Sequence, residues 1–583
     1  MKLVFDIETN GLLDCNKIWC LAAIDVETGE KYAYGPKDLP EAYKLLKSAD
    51  QLIGHNIIGF DIPVLERLAG IDLSDKSVLD TLVLSRLFSP TREGGHGLEA
   101  WGYKVGCKKI EFDSYDFFSE EMLEYCIRDV EVNKLVFDKL KDEAAGFSKE
   151  SISLEHDVYK IINNQRINGF LFDTKKASIL HATLEEKLNS VIAQVHKHFK
   201  PKVTKIKLFK CKNKDGSISK MAEALTGDKR YKLSAEEHEE IKTKGMIIRE
   251  TSTPFNLGSR KQIGEYLQDF GWKPKKFTPT NQPIVDESTL LEIDDIPEAK
   301  MIAEYLLIQK RIAQINSWFK RTDEDGRIRG YVNSNGTITG RMTHRDPNTA
   351  QVPSTRAPYG EECRSCWIVP KNFKLCGIDA SSLELRMLAH YLNDEGFTNE
   401  IINGDIHSAN QKLAGLESRS QAKTFIYALV YGAGDSKLGK VVGGNRTHGK
   451  KLRDSFLNNL PSFRTLTTKI DRASQRGYLK GIDGRKLFVR SAHAALNTLL
   501  QGAGAIVMKK AMVILNDKIK THSINAKFVA NIHDEWQLEV IESEADKLGK
   551  LGVESIIEAG KYYELNCPLD GEYKIGNNWA DTH

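Results

Sequence analysis

Two acids, Asp379 and Asp534, stand in apolar strings that read as buried strands: LCGIDASSLELRMLAHYL (375–392) and FVANIHDEWQLEVI (528–541). Taken singly, Asp379 caps the following helix and Asp534 makes a hairpin turn. Taken together they are ligands for a hard divalent cation, because Mg²⁺ is held by one or two carboxylates plus substrate phosphates. Two such ions, about 3.5–4 Å apart, activate a hydroxyl and hold the leaving oxygen of an in-line displacement at phosphorus. A second set lies near the N-terminus. Asp6 and Glu8 in FDIET are two residues apart, so on a strand both leave the same face. Two acids on one face of a buried strand are costly without a cation. Asp61 in GHNIIGFDIPVLERL opens an amphipathic helix, and Tyr125 and Asp129 in YCIRDVEVNKLVF share a helical face at i and i+4. Singly, Asp61 is a cap and the Tyr125/Asp129 pair a surface hydrogen bond. In order, four acids and a tyrosine make a two-metal site for phosphodiester hydrolysis, with Tyr125 orienting the attacking water. A third string, RSQAKTFIYALVYGAGD (419–435), spaces Arg419, Lys423, Tyr427 and Tyr431 by four. Each step drifts only about 40° around a helix, so the four form one stripe. Two cations followed by two aromatics would grip a triphosphate and then meet a sugar and a base.

The elements that must position these residues follow from apolar periodicity. LVFDIET and IWCLAAIDV read as strands, and 40–49 and 120–140 as helices, giving an α/β start over residues 1–145. Long amphipathic helices occupy 150–200, including SISLEHDVYKIINNQRINGF, and helical pattern returns at STLLE and at EYLLIQKRIAQINSWF (304–319). Gly- and Thr-rich turns fill 326–345, and strands alternate with helices over 370–583. A chain of 583 residues should hold several domains. With 41% hydrophobic and 28% charged residues its composition is that of a globular protein. The start reads as a buried strand rather than a signal peptide, and no uninterrupted apolar run is long enough for a membrane span. Nine scattered cysteines read as reduced thiols, and the lone Cys363/Cys366 pair lacks the second pair that a zinc site needs. The net charge of +3 makes no global case for nucleic acid, so local clusters must carry it. The densest, KPKVTKIKLFKCKNKDGSISK (200–220), reads either as a solvated loop or as a rail for phosphates or a docking loop.

The N-terminal set resembles the tyrosine-bearing branch of the DEDD-type 3′→5′ proofreading exonucleases. That resemblance implies Asp6, Glu8, Asp61 and Asp129 as metal ligands and Tyr125 as an aid to the nucleophile. GIDASSLELR (377–386), the 419–435 string and HDE (533–535) together resemble motifs A, B and C of family A DNA polymerases. TGR (339–341) with NTAQVPS (348–354), and GDIHSANQ (404–411), resemble further motifs of that family. The likeness is to the replicative type of short-tailed, T-seven-like bacteriophages, which lack the 5′ nuclease of bacterial DNA polymerase I, a domain for which this chain also has no room. It implies an α/β multidomain fold: a ribonuclease-H-like exonuclease domain (1–145) and a right-hand polymerase. The latter would have a helical thumb (146–322, with a basic insertion-like segment at 201–253), a β-sheet palm (323–380 and 490–583) and helical fingers (381–489).

The resemblance further implies Asp379 and Asp534 as the metal pair, with Glu535 as an accessory acid. Arg419, Lys423 and His407 would hold the triphosphate. Tyr427 would meet the incoming sugar, where a tyrosine implies ready acceptance of dideoxynucleotides, and Glu384 would exclude a 2′-hydroxyl. Tyr431 would gate the templating base, His533 would lie near the primer end, and Arg341 and Gln501 would read the minor groove. Minor-groove acceptors are nearly independent of sequence, so donors there can test pairing alone. The expected cofactor is two Mg²⁺ per site, with Mn²⁺ as an alternative ion. The expected partners are primer-template DNA, dNTPs, a replicative helicase-primase and a processivity factor, in the host cytoplasm and without a membrane. In the T-seven type a thumb insertion binds host thioredoxin; residues 201–253 occupy a comparable place but are shorter, which leaves that partner open. A relative of the single-subunit RNA polymerases would share the C-terminal acids and Lys423, but not Glu384 or the N-terminal acids. A silent replication scaffold, or a nuclease with a DNA-gripping tail, would not need all six acids and the complete 419–431 stripe.

Overall fold

In the computed structural model, residues 1–12, 14–210, 213–215, 217, 243 and 246–583 are described. The chain forms two compact units, Met1–Thr174 with Trp318–His583, and Lys175–Ser317.

The first unit opens with a five-stranded mixed sheet of order β3-β2-β1-β4-β5. Its strands are β1 (Lys2–Thr9), β2 (Ile18–Asp25), β3 (Lys31–Tyr34), β4 (Gln51–Gly54) and β5 (Ser77–Asp80). β1 pairs antiparallel with β2 and parallel with β4. Both of its faces are covered, and its alternation sorts the side chains. Leu3, Phe5 and Ile7 enter one core with Leu39, Leu46 and Leu52. Val4 enters another with Cys20, Ala22, Met122, Cys126 and Val130. Asp6 and Glu8 share the parity of Val4, so they leave β1 on the side covered by the Glu120–Glu143 helix.

The larger core of this unit surrounds a four-stranded antiparallel sheet. Its order is Ala526–Ile532, Glu535–Ile541, Phe373–Ala380, Gly571–Gly576. Helices Leu383–Leu392, Ala495–Thr521 and Ala545–Tyr562 bury their apolar sides in the same core. The second of these lies in a stretch, Ala492–Thr521, long and apolar enough to cross a membrane; its most apolar window is mostly buried in the core.

A buried ion cluster ties three elements together. Glu155, on the Lys149–Asn168 helix, lies 2.5 Å from Arg485 and 2.6 Å from Lys509, and Arg485 lies 2.7 Å from Asp483. All four side chains are almost fully excluded from solvent. Two cations against two anions leave no net charge to bury, which is what makes such a cluster tolerable in a core. Burial lowers the Lys509 pKa to about 8, with Glu155 acting against it.

The second unit contains the Arg260–Asp269 and Glu287–Leu291 helices, most of Thr174–His198 and Pro297–Phe319, and the antiparallel pair Lys202–Lys210 and Met246–Thr253. Phe199 stacks on Phe255 at 4.8 Å, and Tyr266 packs on both.

The α/β multidomain class expected from the sequence is the class observed. Two local readings change. Phe170 leaves the helical string for a short strand, Phe170–Phe172, because Gly169 adopts φ +62 and ends the helix. The 326–345 turns contain three short strands, Arg327–Ile328, Tyr331–Asn333 and Thr343–Arg345. Of the lysine-rich 200–220 string and the 201–253 segment, residues 211, 212, 216, 218–242, 244 and 245 lie outside the described residues.

Candidate active sites

The Glu120–Glu143 helix, capped by Ser119, carries Tyr125 and Asp129 one turn apart toward the β1 face that bears Asp6 and Glu8. Asp61 opens the short Asp61–Val64 helix, as expected, and the loop before it is fixed by a different acid. Buried Asp80 accepts from the Asn56 and Ile58 amides at 2.9 and 3.1 Å, and also caps the Thr81–Phe88 helix. Asp61 then accepts from the Ile7 amide at 3.2 Å, which brings it to β1. The four acids repel one another in a poorly hydrated place. Burial raises Asp6 well above its ordinary range, with Asp61, Glu8 and Asp129 adding to it. Burial, then Asp129, carries Glu8 up to about 8. Burial carries Asp61 up to about 7 against the Ile7 amide, and raises Asp129 against Lys109. One buried oxygen of Asp129, Oδ1, has no hydrogen-bond partner. A set of hard oxygens short of positive charge, with an acceptor left over, fits Mg²⁺. The Cys126 thiol also lies within 4.8 Å of Asp6 and Glu8, and burial keeps it protonated.

At the second site, Asp379 pairs across the strands with Glu535, and the Ala380 amide donates to the Asp534 carbonyl at 3.2 Å. Asp534 sits in a tight turn whose other residue, His533, has φ +58. The hairpin reading of Asp534 is therefore correct as local geometry, whereas the helix after Asp379 takes Ser382, not Asp379, at its N-cap. Burial, then Asp534 and Glu535, carries Asp379 up to about 7; burial also raises Asp534, against Arg341 and His533. Here too, hard oxygens short of positive charge suit Mg²⁺.

Glu535 is committed elsewhere. It accepts from Gln537 at 2.6 Å and Trp579 at 2.9 Å, and His583 Nε2 lies 2.8 Å from its other oxygen. Both of its oxygens are therefore partnered, while its charge still acts on Asp379.

The stripe forms as expected over the Arg419–Val430 helix, capped by Ser418, with Tyr431 at its C-cap. Arg419 makes a two-point contact with Asp405 at 2.7 and 3.2 Å. Arg419 and Lys423 both act on His407, whose pKa is lowered first by burial. Tyr427 lies 6.5 Å from Tyr431, nearly parallel, and is within reach of the charges of Glu384 and Asp534. Tyr431 donates to Glu384 at 2.8 Å, and Arg341 donates to the same carboxylate at 3.0 Å. Gly432 follows with φ +74; a Cβ there would fall 2.2 Å from the His493 carbonyl. Arg341, Glu384, Gln501, His533 and Asp534 line one cleft. The acids, the stripe and the proposed duplex readers thus meet on one surface.

Residues 228–581 match the family described as DNA polymerase family A. The chain belongs to that family. This family A polymerase is 35% identical to the DNA-directed DNA polymerase of Enterobacteria phage T3 and 34% identical to that of Escherichia phage T7, each alignment covering all of both chains. It is thus a DNA-directed DNA polymerase of the T7-like replicative type. The solved POL domain of Pol1 from M. smegmatis, in complex with DNA primer-template and dNTP, has the same fold: TM-score 0.76 at 19% identity, covering 100% of this chain and 95% of that one.

Sequence reading of the polymerase missed four participants. Lys109 reaches Asp129 and Tyr125 from a segment without periodicity. Asp405 was visible only as part of the GDIHSANQ string, and its hold on Arg419 crosses 14 residues. Trp579 and His583 reach Glu535 across 44 and 48 residues.

The raised carboxyls have a measurable consequence. An acid whose folded pKa exceeds its unfolded value, about 4, costs stability as pH rises between the two. For Glu8 that window ends near 8 and for Asp61 near 7. Melting in EDTA should therefore show the N-terminal acids lowering stability from about pH 5 to about pH 8. Mg²⁺ should raise the melting temperature more at the upper end. Asp6→Asn/Glu8→Gln should flatten both dependences; parallel curves for variant and wild type would show that the cluster is not their source.

Proposed function

We propose that this polymerase extends a primer at the Asp379/Asp534 site and removes 3′-terminal nucleotides at the Asp6/Glu8/Asp61/Asp129 site. The observation that carries the first half is the meeting of Asp379 and Asp534 beside the Arg419–Tyr431 stripe. The second half rests on four mutually repelling acids gathered against Tyr125. In this reading residues 1–145 are the proofreading exonuclease, 146–322 the thumb, 323–380 with 490–583 the palm, and 381–489 the fingers. Asp379 and Asp534 would hold Mg²⁺ at one site, and Asp6, Glu8, Asp61 and Asp129 at the other. When bound, paired ions neutralise charge at the phosphorus and activate the attacking oxygen.

The chain's own groups do the rest. Arg419, Lys423 and His407 receive the triphosphate of a dNTP. Arg419 must exchange Asp405 for phosphate oxygens, a swap favoured by the greater negative charge of the triphosphate. Tyr427 lies between that end and Asp534, where the sugar of the nucleotide would come, and Glu384 stands beside it to exclude a 2′-hydroxyl. Tyr431, held by Glu384, must release that carboxylate to leave the templating position. Arg341 and Gln501 face the duplex from the cleft, with His533 at the primer end. At the other site the Tyr125 hydroxyl, kept protonated by burial and by Asp129, orients the attacking water.

Primer extension tests the first half directly. Lys423→Ala removes an exposed cation that makes no structural bond among the described residues, so the fold should be kept. The rate of dNTP incorporation should fall on the order of 10²–10³-fold, the scale for losing one charge-stabilising donor. Incorporation at the wild-type rate would show that the stripe does not bind the triphosphate.

A further inference from the structure

Lys109 is the cation of the N-terminal acid cluster that the chemistry above leaves unused. Its Nζ lies 2.5 Å from Asp129 Oδ2, donates to the Tyr125 hydroxyl at 2.9 Å, and stands 4.8 Å from the centre of the Tyr125 ring. The ammonium is mostly covered, with 21% of the side chain exposed, and Asp129 is covered almost completely. Among the described residues it is the cation that acts on Asp6, Glu8 and Asp129 together. No pattern in the sequence required a lysine here. It arrives from the irregular stretch between the Leu98–Val105 and Glu120–Glu143 helices.

The donor inventory fixes what this contact does. An ammonium has donors and no acceptor. The Tyr125 oxygen therefore accepts from Lys109, which turns the phenolic O–H, its one donor, away from the ammonium, with Asp129 within its reach. Phe112, whose ring lies 5.4 Å from that of Tyr125, packs against it. Asp129 is held from the same ammonium through one oxygen, while its other oxygen stays without a partner.

We propose that Lys109 is a positioning residue of the N-terminal hydrolytic site: it sets Tyr125 as a hydrogen-bond donor toward the attacking water and holds Asp129 ready to receive a cation through its open oxygen. The inference rests on the exonuclease reading above. Lys109 acts through Tyr125 and Asp129.

The test uses the full chain as Lys109→Met and Lys109→Arg, with three readouts. The first is single-turnover degradation of a primer in Mg²⁺, the second primer extension, and the third Mn²⁺ binding followed by electron paramagnetic resonance without DNA. Lys109→Met should slow degradation on the order of tenfold to a hundredfold, the cost of losing a charge-assisted hydrogen bond at the transition state. Extension should be unchanged. Mn²⁺ should bind at least as tightly as to the wild type, because a competing cation has left Asp129. Lys109→Arg should recover most of the degradation rate. Degradation by Lys109→Met at the wild-type rate would overturn the proposal. So would a loss of Mn²⁺ affinity in proportion to the loss of rate, which marks a collapsed site. The exonuclease reading fails separately, and takes this inference with it, if Asp6→Ala/Glu8→Ala degrades primers as the wild type does.

Discussion

Asp534→Ala extends no primer, yet still shortens one. That is the expected result of a Mg²⁺-dependent assay on a labelled primer-template with all four dNTPs. Asp534 sits in a two-residue turn beside Asp379, and its own carboxyl is raised by burial. Replacing it by alanine removes a repelling charge, and Asp379, now without Asp534 beside it, relaxes toward its ordinary range. The fold should therefore melt no lower than the wild type in EDTA at neutral pH. The loss is one of chemistry. A site that must gather divalent charge at a phosphorus with half its ligand pair missing should lose at least about 10³-fold in rate. Degradation continues because its acids lie on β1, the Asp61–Val64 helix and the Glu120–Glu143 helix, away from the 533–534 turn. Extension by Asp534→Ala at the wild-type rate would end the assignment of the C-terminal site.

The reciprocal variant, Asp6→Ala/Glu8→Ala, should extend primers at the wild-type rate and degrade none. Both acids leave one face of β1 into a cluster that holds them well above the usual carboxylate range. Their removal should stabilise the metal-free protein at about pH 8 and weaken its response to Mg²⁺ in melting to what the Asp379/Asp534 site supplies. The expected loss of degradation is again at least about 10³-fold, since Asp61 and Asp129 alone supply half the donor set. Products made with one dNTP withheld should carry more misincorporated termini, because a mispaired end is no longer removed. Degradation that survives in this variant would show that the four acids are structural.

How much of this could be read from the chain depended on the range of each interaction. The parity of Asp6 and Glu8 on β1, the one-turn spacing of Tyr125 and Asp129, and the stripe from Arg419 to Tyr431 are local consequences of strand and helix periods. The ends of β1, β2 and the Glu120–Glu143 helix agreed for the same reason, whereas the helix read over 304–319 begins at Pro297. Glu535 shows where such reading stops. Next to Asp534 in sequence, it reads as an accessory acid, and pairing with Asp379 keeps it on that face, but its bonds to Gln537, Trp579 and His583 could not be read from the string. Two of those partners, Trp579 and His583, follow the final strand, and only folding brings them to Glu535. Lys109 and Asp405 escaped notice because a lone lysine in a loop and a lone capping aspartate are ordinary until folding supplies their partners.

The sealed quartet of Glu155, Arg485, Asp483 and Lys509 has a bearing on how this lineage can diverge. Lys509 also lines the cleft that holds Arg341 and Gln501, so the quartet reaches the surface proposed to read the new duplex. Deleting any one member strands an opposite charge in the core, a loss of about 3–5 kcal/mol, whereas exchanging the whole set for apolar residues is often neutral. Homologues should therefore keep all four or replace them in concert, and intermediates should be rare. Drift at the base of that cleft is then a matter of linked substitutions spread over more than 300 positions of chain, and a protein engineer altering one of them must plan for the other three.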